Sequence, residues 1–292
     1  MKVILIFFIF TAFLFSNEKQ KASTFTQLKK DFFQTHIDKI NDEETEDSLK
    51  QIVTSDFNLY PYKKNYFLPL SYDTKKRDDR EQFETVFQLS VEKPFAYNIF
   101  GLDESLSFAY TQKSFWQTSA KSAPFRETNY QPEVFMVFSS NYLDEKLKAF
   151  KISLLHESNG RMGQSSRSWN RMYIETYIQY SNLFFIPRLW YRIPEKNGDD
   201  DNPNIYNYLG YGDITFLYPY KQYTVEVKIR NNLKLSSKNK GMFQVDWTFP
   251  LEKLHIPSKS FGFIRIFSGY AESLIDYDKK INSISFGIAL SR

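Results

Sequence analysis

Tyr223-Thr224-Val225-Glu226-Val227-Lys228-Ile229-Arg230 is the stretch whose reading decides the fold. Its apolar residues take every second position, which is the period of a strand and not of a helix. The same alternation recurs on both sides of it. Phe243, Val245, Trp247 and Phe249 alternate with Gln244, Asp246 and Thr248. Phe83, Thr85, Phe87, Leu89 and Val91 oppose Gln82, Glu84, Gln88 and Ser90, and Ile284, Phe286, Ile288 and Leu290 oppose Ser283, Ser285, Gly287 and Ala289. Turn-rich stretches such as 196–203 and 236–241 separate the runs. A soluble β-sandwich alternates too, so the period alone leaves two architectures open. Charges on the polar face (Glu226, Lys228, Arg230) suit a hydrated lumen once export is added, and aromatic clusters at Tyr60-Pro61-Tyr62, Trp190-Tyr191 and 208–211 read as interfacial girdles. A sheet in lipid cannot leave its edges unpaired, so the expectation is a closed, all-β transmembrane barrel.

Composition supports this reading. Aromatics make up 18% of the 292 residues, with 29 Phe and 20 Tyr, yet mean hydropathy is −0.48. A helical membrane protein would concentrate its apolar residues in long runs. Here the one long run is residues 3–15, after Met1 and Lys2 and before polar Ser16-Asn17-Glu18-Lys19. It falls short of the roughly 20 residues a spanning helix needs and reads as a cleaved signal peptide over 1–16. With 38 Lys and Arg against 34 Asp and Glu, the formal charge of +4 is scattered and makes no basic stripe, so nucleic acid is not an expected partner. Cys is absent, which excludes thiolate metal sites and disulfides.

Between the signal and the strands lies a region of different period. Phe25, Leu28, Phe32, Phe33, Ile37 and Ile40 recur at three- and four-residue steps, a short amphipathic helix followed by the acidic run Asp42-Glu43-Glu44-Thr45-Glu46-Asp47. The expected organisation is therefore a periplasmic extension over 17–57 and a barrel over 58–292.

The densest polar cluster is His156-Glu157-Ser158-Asn159-Gly160-Arg161 with Ser165-Ser166-Arg167-Ser168-Trp169-Asn170-Arg171. Ile152 and Leu154 share parity with His156 and Ser158, while Met172 and Ile174 share it with Ser168 and Asn170. A hairpin centred near Gly163 would set Ser158 opposite Ser168 and His156 opposite Asn170, with Cβ atoms ~5 Å apart. A hydroxyl, an imidazole and an amide would then meet on the apolar face, the set that nucleophilic acyl transfer needs. Asn can hold the ring but adds little to stabilising an imidazolium, so other electrophilic help is expected, a metal ion being one candidate. The bland alternative is a Ser-rich loop, but a His–Ser pair facing lipid is costly without a purpose.

This cluster closely resembles the active-site segment of the outer membrane phospholipase A family, H-x-S-N-G-R, four variable residues, then S-R-S-W-N-R. Tyr60-Pro61-Tyr62, Tyr110-Thr111-Gln112-Lys113-Ser114, Pro124-Phe125-Arg126-Glu127-Thr128-Asn129-Tyr130, Asp201-Asn202-Pro203, Ser268-Gly269-Tyr270 and 272–277 resemble it too, from about Tyr60 to the C-terminus. The resemblance implies a 12-stranded antiparallel barrel in the outer membrane and calcium-dependent hydrolysis of phospholipid acyl esters, of phospholipase A1/A2 and lysophospholipase type. It implies Ser158 as nucleophile, His156 as proton acceptor and Asn170 as the orienting residue. Calcium ligands would fall on Ser122, Arg161 and Ser166, with a second position at Asp201, and the active form would be a homodimer, a monomeric form also being possible. Gln112 shares parity with Leu106, Phe108 and Tyr110, so its amide faces lipid, where an unpaired amide costs ~1–3 kcal/mol. In the family this position lies in the dimer contact. The chain departs from the usual aromatic barrel terminus by closing on Leu290-Ser291-Arg292. Two other classes remain as rivals: a non-catalytic porin or structural barrel, and a soluble periplasmic all-β serine hydrolase.

Overall fold

Alternation of apolar and polar side chains becomes a single closed wall in the computed structural model, which describes residues 59–139, 146–195, 198, 200–254 and 260–291 together with Asp42. The expected signal segment and, Asp42 apart, the helical extension lie outside the described residues, as do Asp199 and Arg292. The barrel unit begins at Tyr60.

Its strands are β1 (Tyr60–Pro61), β2 (Tyr66–Asp73), β3 (Phe83–Tyr97), β4 (Ser105–Trp116), β5 (Phe125–Ser139), β6 (Leu147–Ser158), β7 (Ser168–Tyr180), β8 (Leu183–Ile193), β9 (Gly212–Tyr220), β10 (Tyr223–Asn231), β11 (Gly241–Pro250), β12 (Phe261–Gly269) and β13 (Ile281–Ala289). Each of β2 to β12 pairs antiparallel with the next, and β13 returns to β2. β1 merely continues the line of β2 along β3, so the closed wall has the twelve strands β2 to β13. Closure leaves no edge to be satisfied by water.

The two faces of this wall differ as the period requires. Leu154, Met172, Val225, Ile229, Phe243, Trp247, Ile266 and Phe286 are exposed on the outside. Glu133, Lys151, Arg171, Asp213, Asp246 and Arg265 are buried on the inside. Buried charges are tolerable only when paired. Arg265 donates from Nε and Nη2 to the two Asp246 oxygens, both at 2.8 Å, and Lys64 Nζ reaches Oδ2 at 2.8 Å. Lys151 pairs with Glu175 at 2.7 Å and Arg188 with Asp213 at 2.5 Å. The lumen is thus filled with side chains around a cavity of about 620 Å³. The β12–β13 loop folds in over its mouth: Leu274 and Ile275 N–H donate to Asn129 Oδ1 and Glu127 Oε1, both at 3.1 Å, and Lys113 Nζ donates to the Glu272 carbonyl at 2.8 Å. A filled, capped interior does not suit a porin.

The girdle reading needs correction in part. Tyr60, Tyr191 and Tyr211 are exposed, but Trp190 is buried with Trp169, Leu155 and Leu274 under the inward loop, and Tyr208 packs against that cluster. Tyr62 also lies inside, donating to Glu133 Oε1 at 2.7 Å and stacking on Phe135. Clustered aromatics do not reveal from sequence which side of the wall they occupy.

Turns sort the two barrel ends. Ser181-Asn182 and Lys221-Gln222 close β7–β8 and β9–β10 in two residues, with Ser181 and Lys221 left-handed. The β6–β7, β8–β9 and β12–β13 connections all lie at the opposite, long-loop end, the end that faces outward in bacterial barrels.

Candidate active site on the outer wall

The β6–β7 hairpin has the register expected of it: His156 opposes Asn170 and Ser158 opposes Ser168. His156 Nδ1 and Asn170 Oδ1 are 2.8 Å apart. Since that oxygen only accepts, the bond requires the proton on Nδ1 and leaves the Nε2 lone pair free. Ser158 lies two residues along the same face, ~7 Å from His156 by strand rise. Ile152, Leu154, Met172 and Ile174, on the same parity, are exposed on the outer wall. The catalytic candidates therefore face where lipid would be.

The inner face holds this outer face in place. Glu157, between His156 and Ser158, accepts from Gln131 Nε2 at 2.8 Å, Trp169 Nε1 at 3.1 Å and Arg171 Nη2 at 2.8 Å. The hairpin tip, a 3₁₀ turn over Gly163–Ser165, is organised by the buried side chain of Asn159. Its Nδ2 donates to the Ser165 carbonyl at 2.8 Å, and its Oδ1 accepts from Arg161 N at 3.3 Å and Arg167 N at 3.0 Å. Gly160 is left-handed, with φ of 64°, and an added Cβ would sit 3.1 Å from the Tyr130 ring.

A row runs across the outer wall through Leu89, Gln112, Tyr130, Ser158 and Ser168, each paired with the next. Gln112 is thus two strand spacings, ~10 Å, from Ser158. Its amide is not orphaned as the sequence suggested. Tyr110 OH donates to Oε1 at 3.3 Å, and Nε2 donates to Ser114 Oγ at 3.3 Å.

Among the expected calcium ligands, the structure joins Ser166 to Asp201: Ser166 Oγ donates to Oδ2 at 2.6 Å, and Ser168 N donates to Oδ1 at 2.9 Å. Arg161 sits on the same hairpin tip, its guanidinium donating to the Arg126 carbonyl. Ser122 lies in the β4–β5 turn, exposed and left-handed at φ 64°, and no hydrogen bond joins it to the others among the described residues. The sequence missed Glu195 and Asp200, whose carboxylate oxygens lie with that of Asp201 within 4.8 Å of one another. Burial, then the charges of Asp200 and Asp201, push the Glu195 carboxyl above its ordinary range. Glu195 also accepts from Asn170 Nδ2 at 3.1 Å. The two-residue turn Ser181-Asn182 was the available signal, because it fixes Ile193 opposite Asn170 and brings the following residues near it. An all-oxygen set of carboxylates, hydroxyls and carbonyls fits a hard cation such as calcium.

Comparison with known proteins adds relatives to this geometry. A family described as Phospholipase A1 matches residues 42–290. A putative phospholipase A1 of Neisseria meningitidis is 36% identical over 222 residues, 73% of this chain and 56% of that protein, so this chain spans little more than half that relative's length. A phospholipase A1 of Proteus vulgaris is 34% identical over 248 residues, covering 80% of this chain and 82% of that one. Among solved structures, the outer membrane phospholipase A of Escherichia coli superposes with a TM-score of 0.72 at 30% identity, over 80% of this chain and 99% of the other. A Salmonella typhi outer membrane phospholipase dimer with bound calcium gives 0.72 at 31% identity, over 81% and 93%.

Proposed function

This chain belongs to the phospholipase A1 family, and from that premise we propose that its outer wall hydrolyses phospholipid acyl esters, with Ser158 as nucleophile, His156 as base and Asn170 as the residue that holds the ring. The barrel sits in the outer membrane, and its substrate is a lipid approaching sideways from the bilayer. The observation that carries this reading is the 2.8 Å bond between His156 Nδ1 and Asn170 Oδ1 on the face shared with Ser158.

The chemistry follows from those positions. His156 Nε2 takes the proton as Ser158 Oγ adds to the ester carbonyl carbon. Collapse of the tetrahedral adduct breaks the acyl C–O bond, and the lipid alkoxide leaves with the proton from Nε2. Water, deprotonated by the same nitrogen, then attacks the acyl-serine, releasing the fatty acid and restoring Ser158. The N–H following the nucleophile is a common oxyanion donor, but here Asn159 N is engaged with the Arg167 carbonyl at 3.0 Å. That commitment favours a cation as the source of oxyanion stabilisation. Calcium, held by oxygens of Ser122, Arg161 and Ser166, would supply positive charge to stabilise the developing oxyanion, and Asp201 would mark a second calcium position. In the dimer, Ser122 and Gln112 would lie in the contact between copies.

The test is hydrolysis of phospholipid in detergent micelles, with calcium or with chelator, by the native protein and by Ser158→Ala. A loss on the order of 10⁴-fold or more is expected for Ser158→Ala, the scale seen when a triad nucleophile is removed, and a large loss with chelator. Activity surviving the serine substitution would end the mechanism, while the barrel assignment would stand.

A further inference from the structure

We infer that Glu195 is a positioning residue of the hydrolytic site: it fixes which end of the Asn170 amide faces His156 and thereby which ring nitrogen carries the proton. The inference rests on the proposed roles of His156 and Ser158.

The two ends of an amide have nearly the same shape and opposite chemistry. With Oδ1 toward His156, the ring must carry its proton on Nδ1, and Nε2 is free to accept from Ser158. With the amide turned over, Nδ2–H would donate to Nδ1, the proton would move to Nε2, and the ring could no longer act as a base toward the serine. An Asp orienter is symmetrical and meets no such choice; an Asn does. The strand neighbours of Asn170 cannot make the choice for it. His156 can adopt either tautomer, and Ile193, on the other side, is apolar.

Glu195 can. When ionised, its carboxylate accepts only, so the amide end facing it must be Nδ2–H, and the observed 3.1 Å contact is of that kind. Turning the amide over would set Oδ1 against a carboxylate oxygen. The loop is fastened so that Glu195 stays in reach. Arg192 Nη2 grips Asp200 Oδ1 at 2.7 Å, the same oxygen accepts from Asn202 N at 3.0 Å, and Asp201 receives Ser168 N from the catalytic hairpin. An ion pair to Arg192 and a hydrogen bond from Ser168 therefore tie Asp200 and Asp201 to β8 and β7. The carboxylate also aligns the amide dipole toward the imidazole, which supplies part of the negative field that an Asn orienter lacks.

The experiment uses the full-length protein in micelles at saturating calcium, comparing Glu195→Leu, which removes the acceptor, with Glu195→Gln, which can still accept through Oε1. Supporting atoms behind a site residue typically carry 10–100-fold in activity. We therefore expect kcat to fall about tenfold or more for Glu195→Leu with KM unchanged, and Glu195→Gln to recover most of it. A second readout is the ¹⁵N spectrum of the imidazoles. The chain has 3 histidines, and the His156 signals are those lost in His156→Ala. Native protein should show Nδ1–H at His156, and Glu195→Leu should show a mixture with the Nε2–H form. An unchanged kcat and unchanged tautomer in Glu195→Leu would overturn the inference. So would a Glu195→Leu deficit confined to calcium levels below saturation, because the residue would then act through a cation at Asp201. Ser158→Ala, run in parallel, tests the underlying mechanism separately.

Discussion

Two hairpins of this barrel, β6–β7 and β10–β11, are built on the same turn, and only one of them carries the residues proposed for catalysis. In each, a 3₁₀ turn (Gly163–Ser165, Ser236–Lys238) is clamped by a buried Asn. Asn159 accepts from the N–H groups of Arg161 and Arg167 and donates to the Ser165 carbonyl. Asn232 accepts from Lys234 and Lys240 and donates to the Lys238 carbonyl, at the same offsets. Both turns use left-handed residues at the same two places, Gly160 and Gly163 in one, Leu233 and Ser236 in the other. Even the apolar residues at the tips correspond, Met162 being 92% exposed and Leu235 91%. Where β6–β7 pairs His156 with Asn170, β10–β11 pairs Ile229 with Phe243, on the same outer face and in the same register. The turn is scaffold. On the proposed mechanism the two hairpins differ by exchange of an apolar cross-strand pair for a polar one, which lipid would penalise unless the pair served a reaction.

The sharpest way to break the comparison is to convert one hairpin into the other. His156→Ile with Asn170→Phe gives the β6–β7 hairpin the outer pair of its counterpart. Hydrolysis should fall on the order of 10⁴-fold or more, as when a base and its orienter are both lost. The barrel should fold at least as well, because a polar pair has left the lipid face. Phospholipid release and heat-modifiable gel mobility measure the two sides. Loss of the folded band would mean that the polar pair also holds the wall together.

A smaller effect separates the two clamps. Asn159→Ala and Asn232→Ala each remove the hydrogen bonds that hold the turn backbone, at a cost of roughly 0.5–1.5 kcal/mol per bond in stability. Only Asn159 lies next to Ser158 and on the strand connection that carries Arg161 and Ser166. Asn159→Ala should lower kcat on the order of tenfold, by analogy with supporting residues at other sites, whereas Asn232→Ala should leave it near the native value. Equal activity losses at matched stability would mean that the clamp matters only for folding.

This pair of hairpins also marks how far the sequence could be read. The alternation from Tyr223 to Arg230 shows the period of a closed wall, and a turn at Gly163 is enough to oppose His156 to Asn170, because strand parity turns one correct turn into a whole register. The Asn clamps were not legible, since Asn159 and Asn232 look like ordinary turn residues until their bonds across the turn are seen. Trp190 and Tyr62 were read as girdle aromatics and lie inside, because composition at a strand end does not say which face it occupies. Glu195 was hidden in a turn-rich stretch of mixed charge, although the Ser181-Asn182 turn, once placed, brings it to Asn170. The amide of Gln112 was read as needing a partner from outside, whereas Tyr110 and Ser114 on its own strand already engage its oxygen and one of its N–H groups.

The smallest effect concerns the left-handed position after each clamp. At Gly160 two constraints coincide, a φ of 64° and the Tyr130 ring 3.1 Å from where a Cβ would stand. Leu233 has only the first, with φ 56° and a side chain 83% exposed. A left-handed residue with a Cβ costs about 1–2 kcal/mol, and glycine gives back part of any relief through the greater freedom of the unfolded chain, roughly 0.4–1 kcal/mol. Leu233→Gly should therefore stabilise the barrel by up to about 1 kcal/mol with activity unchanged, read as a shift in the denaturant midpoint at constant slope. Gly160→Ala should move the midpoint the other way and also lower activity, because the methyl displaces Tyr130 from the row that includes Ser158. If Leu233→Gly destabilises instead, the exposed leucine has packing that the isolated chain does not reveal, and the second hairpin is more than scaffold.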